Sequence, residues 1–185
     1  MPRKKPVSSS NIILSSHFAD GTPTEINLAA YVKIKLLGSK SDKAFLISLQ
    51  SLSKVIQHNW YYSKGGYPRS YTARYHTLHR FLLGRQEKGM VIDHINRDKM
   101  DNRLENLRVI TQKENSYNRT KNINSTNLYK GIVLAGTLYN AVITKDKKKY
   151  ILKGFSTPED AASAYDAMAE ELFGEFAGKN FNLIN

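Results

Sequence analysis

Residues 90–118, MVIDHINRDKMDNRLENLRVITQKENSYN, constrain the fold of this chain more than any other stretch. MVIDH at its start and NLRVI at 106–110 are short and rich in β-branched residues, which favours strands. Between them INRDKMDNRLE reads as a polar loop. TQKE at 111–114 then forms a capping box, in which Thr111 accepts from the backbone of residue 114 and Glu114 reaches back. A strand, a loop, a strand and a helix from about Gln112 to Asn118 therefore follow in direct succession. Asparagine recurs at 96, 102, 106, 115 and 118. It is a poor helix and strand former, so a stretch that repeats it is using the amide side chain.

The same stretch carries chemistry. Asp93 and His94 are adjacent at the end of the first strand, where consecutive side chains point to opposite faces. Hard divalent ions take oxygen ligands and keep several waters, so the Asp93 carboxylate and the Asn115 amide suffice for one ion. An imidazole with a near-neutral pKa, such as His94, is suited to act as general base toward water. Asp-His pairs are also common by chance, and asparagines often only tie down loops.

Charge and composition narrow the partners. The chain has 185 residues, enough for one ordinary domain or two small ones, and 41% of them are hydrophobic. The net charge of +12 points to a polyanion: DNA, RNA or an anionic membrane surface. No apolar run is long enough to span a bilayer. The basic start MPRKKPVSSSN lacks a following apolar segment, so it reads as a flexible arm, residues 1–11, and not as a secretory leader. The chain has no cysteine, which excludes disulfides and thiolate zinc sites and fits an intracellular protein that is not secreted.

The charge is unevenly placed. Residues 129–185 hold 7 lysines, no arginine and 7 acids, so the whole excess lies before them. Within that neutral part Lys130, Lys145, Lys147, Lys148, Lys149 and Lys153 precede the acids Glu159, Asp160, Asp166, Glu170, Glu171 and Glu175. A basic sheet with an acidic helix behind it presents one face to phosphates.

The remaining pattern gives an α+β chain. AYVKIKLL (30–37) and AFLISL (44–49) read as paired strands, and SLSKVIQHNW as a short helix leading to Trp60. YYSKGGYPRSYTARY carries a hairpin signal around Gly65-Gly66, and HTLHRFLLG a helix closed by Gly84. NINSTN marks a linker at 121–128. YKGIVL, LYNAVIT and KYILKGF then read as three strands of an antiparallel sheet. STPEDAASAYDAMAEELFG is one helix, capped by Ser156 or Thr157, opened by Pro158 and closed by Gly174. Ala161, Ala164, Tyr165, Met168, Ala169 and Leu172 make its sheet-facing stripe.

DHINRDKMDNRLENLRVITQKENSYNR resembles the HNH endonuclease motif of phage- and intron-encoded homing endonucleases, in which a ββα unit grips one divalent ion. The resemblance implies that Asp93 and Asn115 bind Mg²⁺ or Mn²⁺ and that His94 is the base. It gives Asn106 the task of orienting the histidine across the two strands. Asn102 and Arg103 match the family's DNR, Arg108 its NLR, and LHRFLLG with His79 the preceding helix. NWYYSKGGY resembles the N-terminal hairpin of these phage proteins. The zinc-stapled HNH subtype is excluded by the absent cysteines. Residues 129–181 resemble an AP2 DNA-binding domain, with Tyr139 where a tryptophan is usual and lysines where arginines are usual. Lysines anchor phosphates as point charges and read guanine poorly, so this domain is expected to position the enzyme on the backbone.

The expected organisation is a nuclease domain at 12–120 with its ββα core at about 90–120, and an AP2-like domain at 129–185. The partner is double-stranded DNA, with no membrane and no zinc. Cations in the loop, Arg97, Lys99 and Arg103, would clamp the scissile strand, with Arg108 and the six lysines at 130–153 on DNA as well. His79 is a packing or phosphate-contacting residue, and His58 and His76 carry no role. One metal site per chain makes a nicking monomer the simplest form. The competing reading is a non-catalytic AP2-type regulator that keeps the ββα unit as scaffold. A third, an RNA-binding protein, explains the charge but leaves the Asp-His-Asn-Asn spacing to coincidence.

Overall fold

A computed structural model of the chain describes residues 12–15 (backbone only), 31–37, 43–119 and 128–181. The arm at 1–11 and most of the linker, 121–127, lie outside the described residues. The chain is of mixed α+β type and divides into two compact units, Met1–Ile110 and Thr111–Asn185. Among the described residues no helix is long and apolar enough to cross a membrane.

In the first unit, β1 (Ile12–Ser15), β2 (Tyr31–Lys35) and β3 (Ala44–Ser48) pair antiparallel in chain order. Alternation along β2 and β3 turns Val32, Ile34, Phe45 and Ile47 into the core, all fully buried. α1 (Leu52–Val55) follows a 3₁₀ turn and adds Val55. Trp60 completes the cluster, its ring edge-on to Phe45 at 6.1 Å and to Phe81 at 5.6 Å. Its indole N–H donates to the Val55 carbonyl (2.9 Å), so the burial strands no polar atom. Each such side chain contributes roughly 1.5–3 kcal/mol through the water it sheds.

The Gly-Gly hairpin forms as expected, from β4 (Tyr61–Tyr62) and β5 (Pro68–Arg69), with Gly66 at φ 83° in the turn. α2 (Leu78–Leu83) buries Leu78 and His79 and stops at Gly84, φ 79°. β6 (Met90–His94) pairs with β8 (Leu107–Thr111). Between them lies a strand that the polar composition conceals, β7 (Asp101–Asn102), which pairs parallel with β3 through Leu46↔Asp101 and Ile47↔Asn102. Leu46 N–H donates to Met100 O (2.8 Å). Ser48 Oγ accepts from Leu104 N–H (2.7 Å) and donates to Glu105 (3.0 Å). The loop between β6 and β8 is thereby fastened to the N-terminal sheet.

The second unit opens with α3 (Gln112–Tyr117), started by the expected capping box of Thr111 and Glu114. Tyr117 stacks on Phe173 with centroids 4.1 Å apart and planes 18° apart. β9 (Ile132–Ala135), β10 (Leu138–Lys145) and β11 (Lys148–Phe155) form an antiparallel sheet in the order β11-β10-β9. The two-residue turn Asp146-Lys147 has both φ values positive, 49° and 65°, as a type I′ hairpin demands. α4 (Pro158–Phe173) is capped by Thr157, which accepts from Asp160 N–H (3.1 Å). It lays Ala161, Tyr165 and Ala169 on Ile132, Ala141 and Ile143, while Ala164 lies at the edge of the packed stripe. Asp166 then accepts from the backbone of Asn180 (2.7 Å) and Phe181 (2.8 Å), which folds the tail back on the helix.

Candidate active site

Asp93 and His94 close β6, and both are buried. Their partners differ. Arg108, across on β8, places Nε and a terminal nitrogen each 3.0 Å from Asp93 Oδ2. A buried carboxylate needs such a partner, because an isolated one costs several kcal/mol to desolvate. His94 Nε2 lies 3.3 Å from the Asn102 amide oxygen. In that arrangement Nε2 carries the proton and donates, and the basic lone pair resides on Nδ1. The ring edge of His79 approaches His94 at 5.4 Å and 78°, and Tyr67 tilts over both imidazoles at 4.9 and 6.1 Å. Burial among these rings lowers the pKa of His94, against the opposing pull of the Asn102 oxygen and of Asp93, Asp101 and Asp98. The imidazole is therefore held as the neutral form that a base requires.

Asn106 bonds across to the residues that follow His94, its carbonyl accepting from Ile95 N–H (2.9 Å). Its amide donates to Asn96 Oδ1 (2.9 Å) and to Asp101 O (2.7 Å), and its oxygen accepts from Asn96 N–H (3.0 Å). It closes the loop on itself, and the amide on the imidazole is that of Asn102. Register explains the difference: β7 carries Asn102, fully buried, alongside β3, and the second amide hydrogen bond of Asn102, to Lys99 O (3.0 Å), fixes its rotamer. Asp101 is the hub of the loop. It accepts from Asn96 Nδ2 (2.8 Å) and bidentately from Arg103 through Nε (2.8 Å) and a terminal nitrogen (2.7 Å).

The expected DNA-contacting cations fall into two groups. Several are committed inside the protein: Arg103 to Asp101, Arg108 to Asp93, Lys130 Nζ to Tyr117 O (3.0 Å) and Gly178 O (3.2 Å), and Lys145 Nζ to Leu172 O (2.5 Å). Lys99 donates to Gly65 O (2.9 Å) and sits over the Tyr67 ring, tying the loop to the hairpin. Arg97 occupies a left-handed turn, φ 66°. Lys147, Lys148, Lys149 and Lys153 stay exposed on the β10–β11 arm, Lys148 against the ring of Tyr150. The cross-strand pair Thr144–Lys149 and the neighbouring pair Val142–Ile151 fall on the sheet face away from α4, with Ile151 43% exposed.

Among the described residues no three His, Cys, Asp or Glu side chains cluster as a closed metal cage. Asp93 alone supplies a charged oxygen in the first unit's site, and Asn115 lies half-buried in α3. A carboxylate oxygen is a donor suited to a hard divalent ion that keeps most of its shell as water.

His79, Asn102 and Asp101 are the site's unexpected members. His79 is buried with no hydrogen-bond partner at Nδ1. Its place on the apolar stripe of α2, beside Leu78, Phe81 and Leu82, is the signal that marks it as an inward residue. For Asp101 the signal is the D-x-R spacing, which lets the side chain cap its own turn.

A neutral imidazole beside a buried carboxylate, on a strand feeding a polar loop in a basic chain, suits hydrolysis of a phosphodiester bond. The HNH endonuclease family model matches residues 79–117. A protein named an uncharacterized HNH endonuclease, from Acanthamoeba polyphaga mimivirus, is 35% identical over 154 residues, covering 80% of this chain and 81% of that protein. No solved structure is matched. The chain belongs to the HNH endonuclease family and is a nuclease. Enzymes of this family act on DNA and use divalent metal ions.

Proposed function

We propose that this protein is a Mg²⁺- or Mn²⁺-dependent endonuclease of the homing type that hydrolyses one phosphodiester bond of double-stranded DNA. The observation that carries the reading is the division of partners at the end of β6, with Arg108 on Asp93 and Asn102 on His94. His94 Nδ1 takes a proton from water, and the resulting hydroxide attacks phosphorus. The bond to the 3′ oxygen breaks, and water returns a proton to that oxygen. Asp93 and Asn115 would hold the divalent ion, which when bound supplies charge against the phosphorane and the leaving oxygen. Arg108 keeps the Asp93 carboxylate in one orientation, and Asn102 keeps the proton on the far nitrogen of the base.

The second unit is read as an AP2-like module that positions the enzyme on the DNA backbone. Its exposed β10–β11 lysines and the open sheet face support this reading. The protein acts as a monomer that nicks, with residues 12–120 as nuclease, 121–128 as linker and 129–185 as positioning domain. The test is incubation of supercoiled plasmid with protein and Mg²⁺, with and without EDTA. Metal-dependent conversion to the relaxed form is expected, abolished by His94→Ala while DNA affinity stays within a few-fold. Cleavage by that variant at near wild-type rate removes His94 from its role.

A further inference from the structure

Beside β6, on the side of α2, lies a cleft of about 370 Å³ whose rim carries Arg80, Arg85, Gln86 and Tyr75. Its floor is Met90–Ile92, so it ends at the residue before Asp93. Both arginines are exposed, and among the described residues neither forms an ion pair with a carboxylate. In this they differ from Arg103 and Arg108, whose guanidinium groups are taken by Asp101 and Asp93. A third cation stands at the rim, because the Arg74 guanidinium lies 5.0 Å over the ring of Tyr75.

The rim is built and held. Tyr75 and His76 both adopt left-handed backbone, φ 67° and 60°, which side-chain-bearing residues avoid unless neighbours enforce it. Ser70 N–H to His76 O (2.8 Å), the His76 ring against Ser70 O (3.1 Å) and Thr77 N–H to Tyr75 O (2.7 Å) enforce it here. Gln86 Nε2 donates to Leu83 O (3.1 Å) and Gly84 O (3.3 Å), which fixes the chain next to Arg85 as it leaves α2. Two planar forks over a concave floor suit a tetrahedral oxyanion.

We propose that Arg80 and Arg85 grip a DNA backbone phosphate next to the scissile one on the same strand. The inference rests on the nuclease reading and adds to it a phosphate subsite upstream of Asp93 on β6. The cleft opens beside Ile92, one residue before Asp93, so a DNA strand that follows β6 with its scissile phosphate at Asp93 and His94 would bring a neighbouring phosphate there.

The test uses the full chain in EDTA, where binding is read without cleavage, by fluorescence anisotropy with a labelled duplex over a salt series. Arg80→Gln/Arg85→Gln should flatten the slope of log K against log salt by about 0.9, the value for one phosphate released. Arg80→Lys/Arg85→Lys should restore the slope, since the charge is kept, which separates charge loss from misfolding. Ethylation of the phosphate adjacent to the nick should weaken wild-type binding and have little further effect on the Gln variant. If wild type binds and cleaves DNA but the Gln variant keeps its slope and affinity, the subsite is refuted and the nuclease reading stands. If wild type does not bind DNA at all, both fall.

Discussion

Acid should destabilise the first unit through His79. Burial, with help from the neighbouring His94 and Arg80, lowers its pKa from 6.5 to about 4. The folded value lies below the unfolded one, so the fold favours neutral His79. The full contribution is present above pH 6.5 and is lost as pH falls from there through 4. A shift of that size corresponds to about 3 kcal/mol at 1.36 kcal/mol per unit. The unpartnered Nδ1 is the physical reason: a proton there would have to be accommodated with no acceptor. Trp60, the single tryptophan, sits in the core of the same unit, so its fluorescence follows urea unfolding of that unit alone. His79→Phe keeps the ring packing and removes the titration. Wild-type stability should fall between pH 6.5 and 4 by about 3 kcal/mol more than that of the variant. Parallel stability curves for the two proteins would refute the argument.

Asp101→Ala strips Arg103, Asn96 and the loop backbone of their shared acceptor. It should cost about 2–4 kcal/mol by urea denaturation, the lower end because Arg103 is partly exposed. Plasmid relaxation should fall with it, since the neighbouring Asn102 contact on His94 loses its register. Replacing Lys147, Lys148, Lys149 and Lys153 together by Gln should reduce the salt slope of DNA binding by up to roughly 3–4 units if all four meet phosphate. Lys130→Gln should leave that slope unchanged and lower thermal stability instead, because its ammonium is spent on Tyr117 and Gly178 carbonyls.

Local signals were legible wherever one short window holds both partners of an interaction. The capping box at Thr111 and Glu114, the Gly84 stop of α2 and the alternation of β2 and β3 all belong to this class. What escaped is non-local. Nothing in DNR announces that Asp101 and Asn102 will pair with residues 46 and 47, because a two-residue polar strand has no hydrophobic period. That pairing decides which asparagine meets His94, so the amide on the imidazole could not be read from spacing. Charge counts likewise could not tell exposed lysines from Lys130 and Lys145, whose ammonium groups face backbone carbonyls near the tail and the end of α4.

The parallel stitch of β7 to β3 also has a genetic consequence. Ser48 touches no substrate-facing group, yet its hydroxyl joins Leu104 and Glu105, 56 and 57 residues further along the chain. In an unbiased screen for inactive clones, substitutions in Ser48 should surface together with His94 as one phenotypic class. Ser48→Ala is expected to be purified folded but with slowed plasmid relaxation, and a revertant hunt from it should return changes in the 95–106 loop. The side of β3 that pairs with β7 thus bears on the site as well as on the core. Through that pairing β3 holds the 95–106 loop in register.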